Sequence, residues 1–179
     1  PIRAGVRCLD GDLAAHWAAA GQPAKALVAS PHAAEDAEGR SGLAEALAHL
    51  ERALELWPVV PGAADLAGTE LASVLFRAAE LAHFTGSGPQ AAELIRRAID
   101  LLDESTEPMR AATHYERLGT YLLPTGELDA GLVAFRRAVA LVPAHPPSPE
   151  RAAVLAALGN ALLLAWRHAE ARSSCEDAI

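Results

Sequence analysis

The chain is poor in everything that builds sheets, cross-links or membrane spans. Aromatic residues make up only 4% of it, although 51% is hydrophobic. The apolar content is therefore mostly Ala, Leu and Val, which suits close-packed helices rather than sheets. The two cysteines, Cys8 and Cys175, lie far apart and form no spacing pattern. They read as free thiols in a reducing, cytoplasmic compartment. No apolar run reaches the length of about eighteen residues that a membrane span requires. No basic-then-apolar leader opens the chain. Positive charge is in deficit, with 15 Lys and Arg against 23 Asp and Glu and a net charge of −8. That sign repels phosphate backbones and excludes a direct nucleic-acid grip by this segment. The 179 residues suffice for a single domain with a sizeable core. The chain begins at Pro1 and stops at Ile179 inside a helical pattern, and is read as a fragment of a longer protein.

The usual signatures of catalysis are missing too. No Walker A motif is present; "GSGP" (86–89) precedes a helix but lacks the lysine and reads as a turn. The seven histidines form no HExxH and no i,i+4 pair. Glu80 and His83 share a helix face, but two ligands do not make a metal site. Ser173 and Ser174 lack a nucleophile elbow. No acid, base and nucleophile can be assembled from these spacings, so neither an enzyme, a metal nor a cofactor is expected.

What the chain does have is a repeat. "GELDAGLVAFRRAVALVP" (126–143) is echoed by "GSGPQAAELIRRAIDLLD" (86–103) and by "SGLAEALAHLERALELWP" (41–58). Ala98 and Ala138, each after a basic pair, stand 40 residues apart, and another 40 leads to Ala178. Upstream, "HYERLGTYLLPTG" (114–126) matches "VLAALGNALLLAW" (154–166), and "VLFRAAELAHFTG" (74–86) fits the same register.

Each unit reads as two helices around a tight turn. Leu128, Gly131, Leu132, Phe135, Ala138, Val139 and Val142 fall at spacings of three and four, which places them on one helical face. Gly86 and Gly126 can adopt the left-handed conformation that ends a helix. Pro58, Pro143, Pro146, Pro147 and Pro149 stop second helices or mark linkers. Ser148 is placed to cap a helix beginning at Pro149.

Nine antiparallel helices are predicted, over 11–20, 23–38, 42–57, 65–85, 88–103, 107–123, 127–142, 149–165 and 167–178. Pro31 is expected to kink or split the second. Gly131 and Ala138 mark where helices press close, and Cys175, standing where Phe135 stands one repeat earlier, is expected to be a small core residue. A single pair of helices cannot bury its apolar face alone, so the pairs are expected to stack into an all-α superhelical solenoid. Its hairpin units span about 11–60, 65–105, 107–144 and 149–179 of one domain.

The pattern resembles the tetratricopeptide repeat. Its large, Leu-Gly, large, small, aromatic, Ala and Pro positions correspond to Tyr115, Leu118, Gly119, Leu122, Gly131, Phe135, Ala138 and Pro143. Weaker copies run through Leu75, Ala78, Ala79, Ala82, Ala91, Ile95 and Ala98, and through Leu155, Leu158, Gly159, Leu162, Ala171, Cys175 and Ala178. The 40-residue period is longer than the family norm of about 34, the excess falling in the Pro-rich linkers. The resemblance implies that the first helix of each pair lines a ligand groove. The groove residues would be Phe76, Arg77, Glu80, His83 and Phe84, then Glu116, Arg117 and Thr120, then Asn160 and Leu163. Arginine, aromatic and amide groups together suit a protein, a peptide or a small anionic effector. Of the Lys/Asn set that clamps a C-terminal carboxylate, only Asn160 matches. The basic pairs Arg96-Arg97 and Arg136-Arg137 sit beside acidic residues and read as a solvated outer face.

Residues 13–57, "LAAHWAAAGQPAKALVAS…AEALAHLERALELW", also resemble a stretch of large bacterial LuxR-type regulators, through His16-Trp17, Gly21 and Glu51-Arg52-Ala53-Leu54. Those proteins carry a P-loop ATPase before the helical repeats and a helix-turn-helix after them. The Ala- and Arg-rich composition suits a high-GC actinobacterium. The resemblance implies a non-catalytic, signal-responsive interaction module. Two alternatives stand beside it: a scaffold that self-associates through solenoid ends or packs on neighbouring domains, and the same module in an ATPase-cyclase protein.

Overall fold

In the computed structural model, residues 10–178 are described. Cys8 lies outside them. The described residues form ten α-helices and no strand. The chain divides into two compact units, Pro1–Thr85 and Gly86–Ile179.

The first unit holds α1 (Asp10–Ala19), α2 (Pro23–Gly39), α3 (Leu43–Leu56), a 3-10 turn (Trp57–Val59), α4 (Ala63–Ala67) and α5 (Leu71–Phe84). α2 packs between α1 and α3, α3 packs on α5, and the short α4 lies against α2. Small residues fill these crossings: Ala26, Ala34, Ala37, Ala46, Ala53, Ala78 and Ala79 are all fully buried. Leu27, Leu50 and Leu75 fill the space around them. Small side chains let backbones approach, and larger ones beside them restore packing density.

The second unit holds α6 (Gly88–Ile99), α7 (Pro108–Leu122), a 3-10 turn (Leu123–Thr125), α8 (Leu128–Leu141), α9 (Pro149–Leu164) and α10 (His168–Glu176). α7 packs on α6 and α8, α8 on α9, and α9 on α10. Gly131 and Gly119 bring α8 and α7 close. A Cβ on Gly131 would lie 3.4 Å from the Gly119 carbonyl oxygen, and one on Gly119 would lie 2.8 Å from the Phe135 ring. Leu132 and Phe135 meet Leu158, Ala161 and Leu162 of α9 in one cluster, so α9 seals the α7–α8 hairpin.

One turn design recurs. After α7, Gly126 adopts φ 85° and the Glu127 N–H reaches back to the Leu122 carbonyl. The same six-to-one bond joins Gln22 to Trp17, Gly42 to Ala37 and Arg167 to Leu162. This is the left-handed helix stop that satisfies carbonyls at a helix end. Ser41 (φ 62°) and Trp166 (φ 58°) occupy its left-handed position without being glycine. Ser148 caps α9 as its sequence suggests, its hydroxyl accepting from the Arg151 N–H at 3.2 Å.

Three expectations are corrected. The predicted helix over 65–85 is two helices, because Gly68 turns left-handed (φ 63°) and ends α4 after five residues. α2 is not split at Pro31 but continues as one helix, Pro23–Gly39. Cys175 is exposed rather than core. Its Sγ does take the Phe position, 2.9 Å from where a Gly159 Cβ would stand, but no described helix covers it.

Candidate functional site

The groove residues expected from the repeat lie on α5 in the first unit and on α7 and α9 in the second. A 40-residue step relates Arg77 to Arg117, and Glu80 to Thr120 and Asn160. All of these are at least partly exposed, as are Phe76 and His83. Phe84 is 69% exposed and tilts against the His83 ring at 5.7 Å.

On α5, Arg77 is not a free cation. Its guanidinium bonds Glu38 at 2.6 and 2.8 Å and Glu35 at 3.2 Å, both from α2. Arg77 and Glu35 line a cavity of about 320 Å³ together with Pro31, Leu50, Thr69 and Val74. The sequence reading missed Glu35, Glu38 and Thr69. Their recruitment depends on α2 and the α4–α5 corner meeting at α5, and no local pattern signals that.

On α7, Glu116, Arg117 and Thr120 form one cluster. The Arg117 guanidinium bonds Glu116 at 3.2 Å, and the Thr120 hydroxyl reaches both the Glu116 carbonyl and its carboxylate at 3.1 Å. Asn160 is exposed on α9, which also touches α7. Leu163 and Leu164 are 50% and 55% exposed, and Trp166 just beyond them is 83% exposed.

α6 and α8 carry the basic pairs. Arg96 pairs with Glu127 at 3.4 Å and Arg136 with Glu170 at 3.0 Å, at exposed positions where such bridges contribute about 0–1 kcal/mol. Arg137 and the Tyr115 hydroxyl both bond Glu104. The Arg137 bond, reinforced by Tyr115, holds the Glu104 carboxyl below its usual range. Burial, reinforced by Glu104, pushes the Tyr115 hydroxyl up. Between these bridges lies an apolar cleft of about 540 Å³ over Leu118, Leu122 and Val133.

One titratable group is buried away from these faces. His114 on α7 donates Nδ1–H to the Arg110 carbonyl at 2.8 Å. Burial lowers its pKa to about 4. Among the described residues, no group of three or more His, Cys, Asp or Glu is placed to hold a metal ion. None of the described helices is long and apolar enough to cross a membrane.

No sequence family and no curated protein matches the chain. Solved structures do match in fold. The putative kinesin light chain repeats of Podosopora anserina, described as nearly identical TPR-like repeats, align at TM-score 0.69 with 14% identity over 94% of this chain and 91% of theirs. YrrB, described as a TPR protein with an unusual peptide-binding site, aligns at 0.64 with 18% identity over 93% and 81%. MamA aligns at 0.61 with 16% identity over 94% and 91%. The fold is tetratricopeptide-like. At these identities the likeness concerns fold alone.

Proposed function

We propose that this chain is a non-catalytic protein-interaction repeat domain that binds a peptide, a protein segment or a small effector, with candidate surfaces on α5 within the first unit and on α7 and α9 within the second. The observation that carries this reading is the recurrence of charged and polar groups, half-buried on α5 and α7 and exposed on α9, at positions 40 residues apart. Arg77 recurs as Arg117, and Glu80 as Thr120 and Asn160. A solvated face requires no such ordered clusters, and a buried core would not tolerate them. The peptide-binding described for YrrB supports the same class of ligand.

The resemblance of residues 13–57 to LuxR-type regulators sets the wider proposal. The chain is a regulatory segment of a cytoplasmic, actinobacterial transcriptional regulator, within which residues 1–179 act as one repeat domain. The test is twofold. Calorimetry of the chain against peptides, sugars and nucleotides should find a ligand whose binding Arg117→Ala and Asn160→Ala each weaken. In the full-length regulator the same substitutions should alter transcriptional output; unchanged binding and unchanged output would abandon the reading.

A specific observation favours a second reading, self-association. Leu163, Leu164 and Trp166 expose a contiguous apolar stretch at the α9–α10 turn, of the kind that marks contact sites. Light scattering decides it: a mass independent of concentration, unaffected by Trp166→Ser, removes self-association from consideration.

A further inference from the structure

We propose that the cavity between α2, the α4–α5 corner and α5 binds a basic side chain, the ammonium or guanidinium of a lysine or arginine presented by a partner peptide. This deepens the preceding proposal and rests on it, because the cavity opens on the α5 face. Its volume of about 320 Å³ is at the lower end for ligand pockets and suits one side chain more than a cofactor. Pro31, Leu50 and Val74 offer an apolar wall for a methylene stem, while Glu35 and the Thr69 hydroxyl supply acceptors.

Charge decides the sign of the ligand. Arg77 is the only Lys or Arg lining the cavity, and it is engaged by two carboxylates, Glu35 and Glu38. Arg77, Glu35 and Glu38 together carry one net negative charge, and His32, which also lines the cavity, stands with its Nδ1 3.8 Å from the second Glu35 oxygen. Arg77 and His32 each approach one Glu35 oxygen, at 3.2 and 3.8 Å, yet the side chain is 60% exposed and a carboxylate accepts about four hydrogen bonds, so it retains acceptor capacity. The surroundings add to the imbalance, as residues 10–85 hold eleven Asp and Glu against four Lys and Arg. Of the other three cations, Lys25 is stacked on Trp17 at 4.2 Å, Arg40 pairs with Glu45, and Arg52 lies on α3. An incoming carboxylate would have to displace two carboxylates from Arg77 and leave them facing it. An incoming ammonium meets Glu35 directly.

The test is an NMR titration of the 15N-labelled chain with Nα-acetyl-lysine amide, Nα-acetyl-arginine amide and Nα-acetyl-glutamate amide. The two basic probes should shift the backbone amides of Gly68, Thr69 and Ser73 saturably, and the acidic probe should not. Glu35→Gln, at an exposed position that leaves folding intact, should weaken lysine binding about fivefold, the equivalent of one surface ion pair. Arg77→Gln removes the competing cation and should tighten it. Preferential binding of the glutamate probe, unchanged binding in Glu35→Gln, or weaker lysine binding in Arg77→Gln would each overturn the proposal. If peptides shift only α7 and α9 amides, the interaction face stands and this pocket falls; if no probe or peptide shifts any amide, both fall.

Discussion

The α7–α8 and α9–α10 hairpins follow one template 40 residues apart, yet one is sealed and the other is open. Gly119 and Gly159 each leave room for a side chain from the second helix. In the first hairpin that side chain is Phe135, 1% exposed beneath α9. In the second it is Cys175, exposed. The apolar Ala134 of α8 becomes Ser174 of α10, whose hydroxyl bonds the Leu155 carbonyl at 2.9 Å. The left-handed Gly126 becomes the left-handed Trp166. The buried His114 of α7 becomes the buried Val154 of α9. The difference shows how a repeat stores its stability. The glycine slot positions a side chain, but only cover from the next hairpin makes that side chain a core residue.

The largest test of this contrast removes the two slot fillers. Phe135→Ala should cost about 3–5 kcal/mol, the range for deleting a buried aromatic. Cys175→Ala should cost less than about 1 kcal/mol, as exposed substitutions do. Urea midpoints of the two variants measure the gap; equal shifts would mean that cover from α9 adds nothing.

His114, where α9 has Val154, gives the sealed hairpin a buried titratable group and with it a source of pH dependence. With its folded pKa at about 4 and an unfolded value near 6.5, the unfolded chain binds the proton more readily. Stability from the neutral ring is therefore present above pH 6.5 and is lost as pH falls toward 4. The loss should be on the order of 2–3 kcal/mol. His114→Val, the residue that α9 uses, should flatten the unfolding midpoint across that window relative to wild type. An undiminished slope in the variant would assign the loss to carboxylates instead.

Filling the glycine slots separates the hairpins by a smaller margin. Gly119→Ala drives a methyl against a fully buried ring and should cost about 1–3 kcal/mol. Gly159→Ala crowds the Sγ of an exposed cysteine, which can rotate away into solvent, and meets the Ala171 carbonyl oxygen and Ser174 Cβ at ordinary contact distances of 3.6 and 3.9 Å, so it should cost under about 1 kcal/mol. Thermal melts of the pair check the ratio.

Much of the fold is written locally and was legible. The 40-residue register, Gly86, Gly126 and Ser148 all act through their own turn or helix end, so their sequence is sufficient to read them. The break at Gly68 was not legible, because the apolar and small residues on either side of it read as one continuous helix, and a single glycine is compatible with a helix interior. The exposure of Cys175 was not legible either, since burial depends on what lies over a residue and not on the helix that carries it. The candidate site divides the same way. The 40-residue spacing of Arg77 and Arg117 can be read from the sequence alone. The carboxylates that hold Arg77, Glu35 and Glu38, lie some 40 residues upstream, and their arrival depends on how α2 and α5 pack.

Trp166 gives the finest comparison. At the equivalent turn Gly126 has φ 85° and Trp166 has φ 58°. A left-handed L-residue with a Cβ is strained by about 1–2 kcal/mol, and Trp166 has little packing to offset that, being 83% exposed with an edge contact to His168 at 5.8 Å. Trp166→Gly gives up this contact and adds the chain entropy of glycine, about 0.5–1 kcal/mol. The expected result is a net gain of about 0.5–1 kcal/mol, seen as a higher urea midpoint with an unchanged slope. Gly126→Trp, the reverse exchange in the sealed hairpin, should lose a similar amount. A Trp166→Gly chain no more stable than wild type would mean that the exposed indole contributes as much as its backbone costs, and would direct attention to what it touches in solution.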